Sequence, residues 1–321
     1  MDKDALFKLI QRLMSDHPLI IWGSGATVPC GMPSMVQLAE AINDKTGLSI
    51  DVAKSLEDEL CKPEMVDETD KIRRIIFEKI FEADAKIVDM LRKRTCAHLD
   101  AVADLIRLVG EAHPKTVNFL TTNYDRVVEQ VAAWNGYRVF DGTIQGNLGR
   151  FDVNEFKKHD AVNVIKVHGS LSWGDFEGTA RNCFGRMPDD VSPLIIIPGN
   201  LKYQVAYQNP YRSLIQKADE KIQAASSFLS IGFGFNDEHI TPVVKAKLQN
   251  GCPVVVIALK ISDNCWKMLS HARTYVSLEA CGGDRNKTHV VYLDGGVNGA
   301  LGDMVIDGEY WSLEKFMEVF K

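Results

Sequence analysis

Four short polar clusters stand out because each one directly follows an apolar run. Gly23-Ser24-Gly25-Ala26-Thr27 follows Leu19-Ile20-Ile21-Trp22 and leads into Cys30-Gly31-Met32-Pro33. Thr121-Thr122-Asn123-Tyr124-Asp125 follows the run at 117–120, and His168-Gly169-Ser170 follows the run at 162–167. Gly232-Phe233-Gly234-Phe235-Asn236-Asp237 follows the run at 228–231. Glycines at a strand end permit positive φ and let a ligand phosphate approach the backbone, whose N–H groups bind anions. An Asn amide donates and accepts hydrogen bonds but is no base near neutral pH. An imidazole titrates close to neutrality and suits proton transfer. Taken singly, each cluster also has an ordinary reading: a tight turn, a helix cap at Thr122 or Asn123, a satisfied structural His168, and a βα turn capped by Asn236 or Asp237. Their shared placement says more. In a doubly wound sheet, ligands sit beyond the carboxyl ends of the strands, so the four clusters are expected to meet there.

The elements that must carry them read as alternating strands and helices. Strands are expected at 116–120, 162–167, 194–197, 228–231, 254–258 and 289–293, besides the run at 19–22. Their apolar runs are continuous, as in parallel strands buried on both faces. A first helix is expected at 4–15, with Leu6, Leu9, Ile10 and Leu13 on one face, and further helices at 211–225 and 238–249. Ser34 with Gln37 makes a capping box ahead of Leu38, Ala41 and Ile42. Residues 47–112 are rich in charges and helix formers with no strand-like run, which predicts a helical module inserted between two strands. Residues 141–160 read as a polar loop. The expected fold is α/β: one Rossmann-like, doubly wound parallel sheet in a single domain spanning the 321 residues, with that helical insert.

Composition narrows the function classes. Hydrophobic residues make up 45% and charged residues 25%, as in ordinary soluble domains. A net charge of -6 supplies no basic surplus for phosphates, so direct nucleic-acid binding is not expected. No apolar run approaches the roughly 20 residues of a membrane span, and the N-terminus lacks a signal-peptide pattern, so a cytoplasmic protein is expected. The seven cysteines form no C-x-x-C pair, which argues against both a disulfide framework and a zinc ribbon.

The motifs together resemble those of the sirtuins. GSGATVPCGMPS is similar to the sirtuin cofactor-loop pattern G-A-G-I-S-x-x-S-G-I-P-D, with Gly23, Gly25, Gly31 and Pro33 matching outright. TTNYD resembles the T-Q-N-I-D segment, which places Asn123 and Asp125 on that family's cofactor-site residues. His168-Gly169 resembles the catalytic His-Gly, and residues 232–237 stand where the family has its second nucleotide-contacting turn. The departures are equally specific. Ser34, Met35 and Val36 replace the Asp-Phe-Arg that follows the proline in deacylases, the two zinc-binding C-x-x-C pairs after the His-Gly are missing, and the interval from Asn123 to His168 is longer. These departures, with GFGFNDEHI and the preceding IIPGN, resemble the zinc-free, sirtuin-like branch of anti-phage defence, whose members hydrolyse NAD.

The resemblance implies NAD as substrate and no metal. It implies Asn123 and His168 as catalytic residues, with Gly23, Ser24, Gly25, Ala26, Thr27, Pro33, Asp125, Gly232, Phe233, Gly234 and Asp237 binding the dinucleotide. Backbone N–H groups at 23–27 would hold the pyrophosphate, and Gly232 and Gly234 would admit the adenosine half. It also implies a homo-oligomer and a partner such as a HerA-type ATPase or an Argonaute. Two alternatives stay open: an NAD-dependent protein deacylase, and a non-catalytic subunit that binds NAD or ADP-ribose.

Overall fold

Alternate residues of the first apolar run belong to two different cores. In the computed structural model, which describes residues 2–54, 56–199, 208–295 and 299–321, strand β1 (Leu19–Trp22) is buried throughout. Ile20 and Trp22 join one apolar cluster, and Leu19 and Ile21 join the other. A strand with both faces covered must be apolar at every position, which is why this run does not alternate with polar residues.

Helix α1 (Lys3–Met14), helix α2 (Met35–Thr46) and the helices of the insert cover the first face. Those helices are α3 (Leu56–Leu60), α4 (Thr69–Asp84), α5 (Ile87–Lys93) and α6 (Ala97–Gly110). Strand β2 (Thr116–Thr121) follows, then α7 (Val127–Trp134), then the short edge strand β3 (Val139–Phe140) and β4 (Ala161–Lys166). The region at 47–112 is thus helical among its described residues, and its apolar side chains share one cluster with the sheet. The capping box is formed as expected, with Gln37 N–H donating to Ser34 Oγ and the Gln37 amide oxygen accepting from Ser34 N–H.

Two parts of the chain depart from the expected strand set. After β4 comes a separate three-stranded antiparallel sheet, built from β5 (Gly169–Phe176), β6 (Thr179–Asn182) and β7 (Ser192–Ile195) in the order β6-β5-β7. The run at 194–197, expected in the main sheet, belongs here instead. Its apolar residues pack beside the His168 turn, where the Ile196 N–H donates to the His168 carbonyl at 2.8 Å. The other departure lies at the far edge of the main sheet. Helix α8 (Tyr211–Ala224), β8 (Phe228–Ile231), α9 (Thr241–Gln249), β9 (Val254–Ala258) and α10 (Asp263–Leu269) keep the alternation and cover the second face. Strands β10 (Tyr275–Cys281), β11 (Asp284–Asp294) and β12 (Ala300–Asp307) then form an antiparallel meander, and α11 (Leu313–Phe316) closes the chain against α6.

The nine-stranded order is β12-β11-β10-β9-β8-β1-β2-β4-β3, parallel from β10 through β3 and antiparallel at β10–β11–β12. The sheet is therefore doubly wound but only mostly parallel. The strand order reverses beside β1, which has β2 on one side and β8 on the other. A crevice is expected at such a switch point.

Candidate active site

The four strand-end clusters do meet. A cleft of about 190 Å³ lies at the carboxyl ends of β1, β2, β4 and β8, and Ser24, Thr27, Pro33, Asn123, Asp125, His168, Phe233, Gly234 and Asp237 all line it. Met32, Met35, Leu38 and Ile80 supply an apolar wall. The remaining residues of the expected set, Gly23, Gly25, Ala26 and Gly232, do not line it.

Those four hold two turns in close contact. A Cβ on Gly23 would lie 2.2 Å from the Gly232 carbonyl oxygen, and one on Gly232 would lie 2.4 Å from the Ala26 nitrogen. Gly232 also has φ 57°, in the left-handed region. The N–H groups here are occupied: Gly23 donates to Ile231 at 2.9 Å, Gly25 to Gly232 at 3.1 Å, Ala26 to Gly23 at 3.1 Å and Thr27 to Ser24 at 3.1 Å. Of the backbone N–H groups at 23–27 expected to hold the pyrophosphate, those of Gly23, Gly25, Ala26 and Thr27 thus already have partners within the protein. Two of these N–H groups, Gly23 and Gly25, tie the β1 turn to the β8 strand and turn, the Ala26 and Thr27 N–H groups close the β1 turn on itself, and Ser24 and Thr27 line the cleft there.

Asn123 belongs to the same interlock. Its side-chain N–H₂ donates to the Gly23 carbonyl at 3.0 Å and approaches Thr27 Oγ1 at 3.5 Å, while Thr121 Oγ1 donates to the Trp22 carbonyl at 2.6 Å. These bonds tie the end of β2 to the end of β1. The capping alternative for this cluster falls elsewhere: α7 begins at Val127, and Asp125 Oδ1 accepts the Val127 N–H at 3.2 Å.

His168 faces Asp237, with its Nε2 2.9 Å from Asp237 Oδ2. The imidazole and the carboxylate are in close contact without aligned hydrogen-bond geometry. The other oxygen of Asp237 accepts the N–H groups of His239 and Ile240 at 3.0 and 2.9 Å. Burial pushes the Asp237 carboxyl up, but the His168 imidazole and these N–H groups outweigh it and hold the carboxyl well below the usual range. Asp237 is thus ionised and fixed on the turn, and α9 starts later than residue 238 because Pro242 stands in its first turn.

A buried ionic layer lies under the cleft. Lys166 is 1% exposed, and its ammonium contacts Glu129 Oε1 at 2.6 Å, Ser170 Oγ at 3.3 Å and the carbonyls of Tyr124 and Asp125. Burial pushes the Asp125 carboxyl up to about 6, Lys166 only partly offsetting it. Beside them, Asp84 is fully buried and accepts from Arg126 through N, Nε and Nη2 at 2.6–2.9 Å. Behind the first turn, His98 Nε2 lies 2.7 Å from the Ala26 carbonyl and Nδ1 lies 3.1 Å from Glu314 Oε1. Sequence reasoning missed Lys166 and His98. The sign for Lys166 was available: a cation inside the mostly apolar run Val162-Asn163-Val164-Ile165-Lys166-Val167 demands a buried partner. His98 gave none, because its partners lie 72 and 216 positions away along the chain.

Among the described residues no cluster of His, Cys, Asp and Glu is arranged to hold a metal ion, and no helix is long and apolar enough to cross a membrane. All seven cysteines are free thiols. Asn200, the last residue of the IIPGN stretch, lies outside the described residues.

A family model described as a SIR2-like domain matches residues 117–255, which hold the second, third and fourth clusters but not the turn at 23–33. No curated protein matches the chain in sequence. Similar solved structures include a Sir2 homologue in complex with NAD, 18% identical over 83% of this chain and 85% of that one, with a TM-score of 0.45. A Sir2 homologue mutant in complex with 2'-O-acetyl ADP ribose is 16% identical over 83% and 88%, with a TM-score of 0.48. A Sir2 bound to acetylated peptide is 14% identical over 82% and 89%, with a TM-score of 0.46.

Proposed function

We propose that this chain, with its SIR2-like domain, hydrolyses NAD at the nicotinamide–ribose bond and releases nicotinamide and ADP-ribose. The observation that carries this reading is the convergence of Asn123, Asp125 and the His168–Asp237 pair on one cleft at the switch point of the sheet. The enclosed space of about 190 Å³ is smaller than the ~300–1,000 Å³ that surrounds a whole drug-sized ligand. It is therefore assigned to the reacting end of the dinucleotide, with the rest extending along the strand ends past Ser24, Thr27 and Gly234.

The bond to nicotinamide breaks with its electron pair passing to the ring nitrogen, so the leaving group departs neutral and needs no strong acid. The sugar gains oxocarbenium character, and a carboxylate lining the cleft stabilises that charge. Asp125 fills that role in its ionised form. His168 removes the proton from the attacking water, whose oxygen forms the new bond to the anomeric carbon. Such a positioned base contributes about 10²–10⁴-fold. Asp237, expected from the sequence to contact the cofactor, acts in this scheme by orienting the imidazole. Asn123 spans the reacting sugar and the Gly23–Thr27 turn, so it positions the water or a ribose hydroxyl.

The wider reading is an effector of anti-phage defence, cytoplasmic and homo-oligomeric, restrained by a partner of the HerA-type ATPase or Argonaute kind. A protein deacylase would use the same cleft. Purified protein incubated with NAD, with and without an acylated peptide, separates the two readings. Nicotinamide and ADP-ribose released without peptide support hydrolysis, whereas release that depends on the peptide and yields an acylated ADP-ribose replaces it with deacylation. NAD that binds and stays intact in the presence of the partner assigns the chain to the non-catalytic alternative.

A further inference from the structure

The turn that carries Ser24 and Thr27 into the cleft is gripped from two sides. On the sheet side, its Gly23 and Gly25 N–H groups donate to the end of β8 and the turn that follows. On the other side it meets the start of α6. There His98 Nε2 lies 2.7 Å from the Ala26 carbonyl, and Cys96 Sγ donates to the Pro29 carbonyl at 3.6 Å. Ala26 and His98 are both buried.

A carbonyl only accepts, so Nε2 of this imidazole carries the proton that it donates to Ala26. That assignment leaves Nδ1 facing Glu314 Oε1 at 3.1 Å, close but without aligned hydrogen-bond geometry. A carboxylate also only accepts, so the contact is attractive only with a further proton between the two groups. Burial pushes the Glu314 carboxyl up, but the His98 imidazole, with smaller help from Ser312 and the N–H of Glu314 itself, holds it below its usual range. One ring nitrogen thus grips the turn, and the other meets a carboxylate from the far end of the chain.

The segment that carries Glu314 is itself anchored. Ser312 Oγ accepts the Lys315 N–H at 3.3 Å, and Leu313, Phe316, Met317 and Val319 enter the same apolar cluster as α1 and α6. Gln11 on α1 donates its N–H₂ to the Val319 carbonyl at 2.6 Å. The Glu314 side chain is 36% exposed. A continuous route therefore runs from the surface, through Glu314 and His98, to the backbone carbonyl beside Thr27.

We propose, resting on the reading of the cleft as an NAD site, that His98 and Glu314 are positioning residues for it. They fix the Ala26–Thr27 peptide, and with it the stretch of the cleft assigned to the dinucleotide beyond its reacting end. Neither residue lines the cleft. Their loss should therefore weaken the hold on NAD without slowing the chemistry of bound NAD.

Two readouts on the full-length protein test this role. One is hydrogen exchange at the amides of residues 23–30, followed by mass spectrometry without ligand. The other is calorimetric titration with NAD alongside steady-state hydrolysis. His98→Phe keeps a ring but removes the donor, His98→Gln returns an N–H close to the position of Nε2, and Glu314→Ala changes a part-exposed residue. His98→Phe should speed exchange at 23–30 and raise Kd and KM for NAD by about tenfold, the scale of one buried hydrogen bond, with kcat little changed. His98→Gln should recover most of the affinity. Glu314→Ala should act in the same direction but less, and adding it to His98→Phe should change little further, because the carboxylate acts through the imidazole. The positioning role is overturned if exchange and NAD affinity stay at wild-type values in folded His98→Phe or Glu314→Ala protein. It is also overturned if kcat falls while Kd holds, or if His98→Gln is no better than His98→Phe. Should His98→Phe fail to fold, Glu314→Ala decides by the same two readouts. A wild-type protein that neither binds nor cleaves NAD refutes the reading of the cleft instead, and the exchange readout, which needs no ligand, still decides whether His98 and Glu314 hold the turn.

Discussion

Asp125→Asn is expected to make the protein more stable and less active, and the size of the stability change follows from where the carboxyl sits. Burial moves it from 3.8 to about 6, with Lys166 only partly opposing the effect. The folded state therefore holds the proton more tightly than the unfolded chain does. Stability from this group is fully present below pH ~4 and is lost as pH rises through about 6. At 1.36 kcal/mol per pH unit, the charged carboxylate costs the fold about 3 kcal/mol at pH 8. An Asn has the same shape, still accepts the Val127 N–H through its oxygen, and carries no charge to desolvate. Urea denaturation at pH 4.5 and pH 8 is the assay. The variant should exceed the wild type by only about 1 kcal/mol at the lower pH and by up to about 3 kcal/mol at the higher. Nicotinamide release should fall by about 10²-fold, the scale set by loss of one preorganised electrostatic contact. Greater stability with lower activity is the mark of a strained functional group. The reasoning is refuted if Asp125→Asn is destabilising at pH 8, or if its effect does not vary with pH. Either result would make the carboxylate a structural partner of Lys166.

Three further outcomes are expected. His168→Ala and Asn123→Ala should each lower NAD turnover by at least about 10²-fold, and the double variant should be little worse than the poorer single one, because the two act as a unit; wild-type turnover by a folded His168→Ala protein would remove the imidazole from the chemistry. Gly232→Ala should cost about 2–4 kcal/mol, since its Cβ would lie 2.4 Å from the Ala26 nitrogen at a left-handed φ of 57°; a thermal melt close to wild type would show that the two turns are not locked. Lys166→Met should cost about 3–5 kcal/mol at pH 8 by leaving Glu129 without its cation. That loss should shrink at pH 5 as burial lets the Glu129 carboxyl take up a proton, and equal losses at both pH values in denaturation curves would disprove the ionic account.

The sequence reveals elements whose burial is uniform and hides those whose neighbours decide them. The run at 19–22 is apolar at every position because helices cover both faces of its strand, so its identity follows from composition alone. The run at 194–197 has the same composition, yet it pairs with β5 in the small sheet. Its apolar character comes from packing beside the His168 turn, a context that no local pattern encodes. Strand β12 escaped for the opposite reason. β12 is an edge strand with Leu301 70% and Val305 51% exposed, so its side chains follow no buried pattern.

For the site, residue types gave the surface of the cleft but not what holds it. Asn123, His168 and the glycines could be found because each follows a strand and strand ends share one edge of the sheet. Which glycines face the ligand could not, because Gly23 and Gly232 are small for the sake of each other: the contact between their turns joins residues 209 positions apart. The supporting charges follow the same logic. Lys166 stands two residues before His168, at the end of β4, so its ammonium reaches Glu129 on α7 and the Tyr124 and Asp125 carbonyls of the turn that follows β2. A neutral residue there would pack into the same strand, but it would leave the Tyr124 and Asp125 carbonyls without their donor. The turn that carries Asp125 into the cleft is therefore held from beneath by a cation belonging to the strand that carries His168. That shared anchor fixes Asp125 and His168 relative to each other.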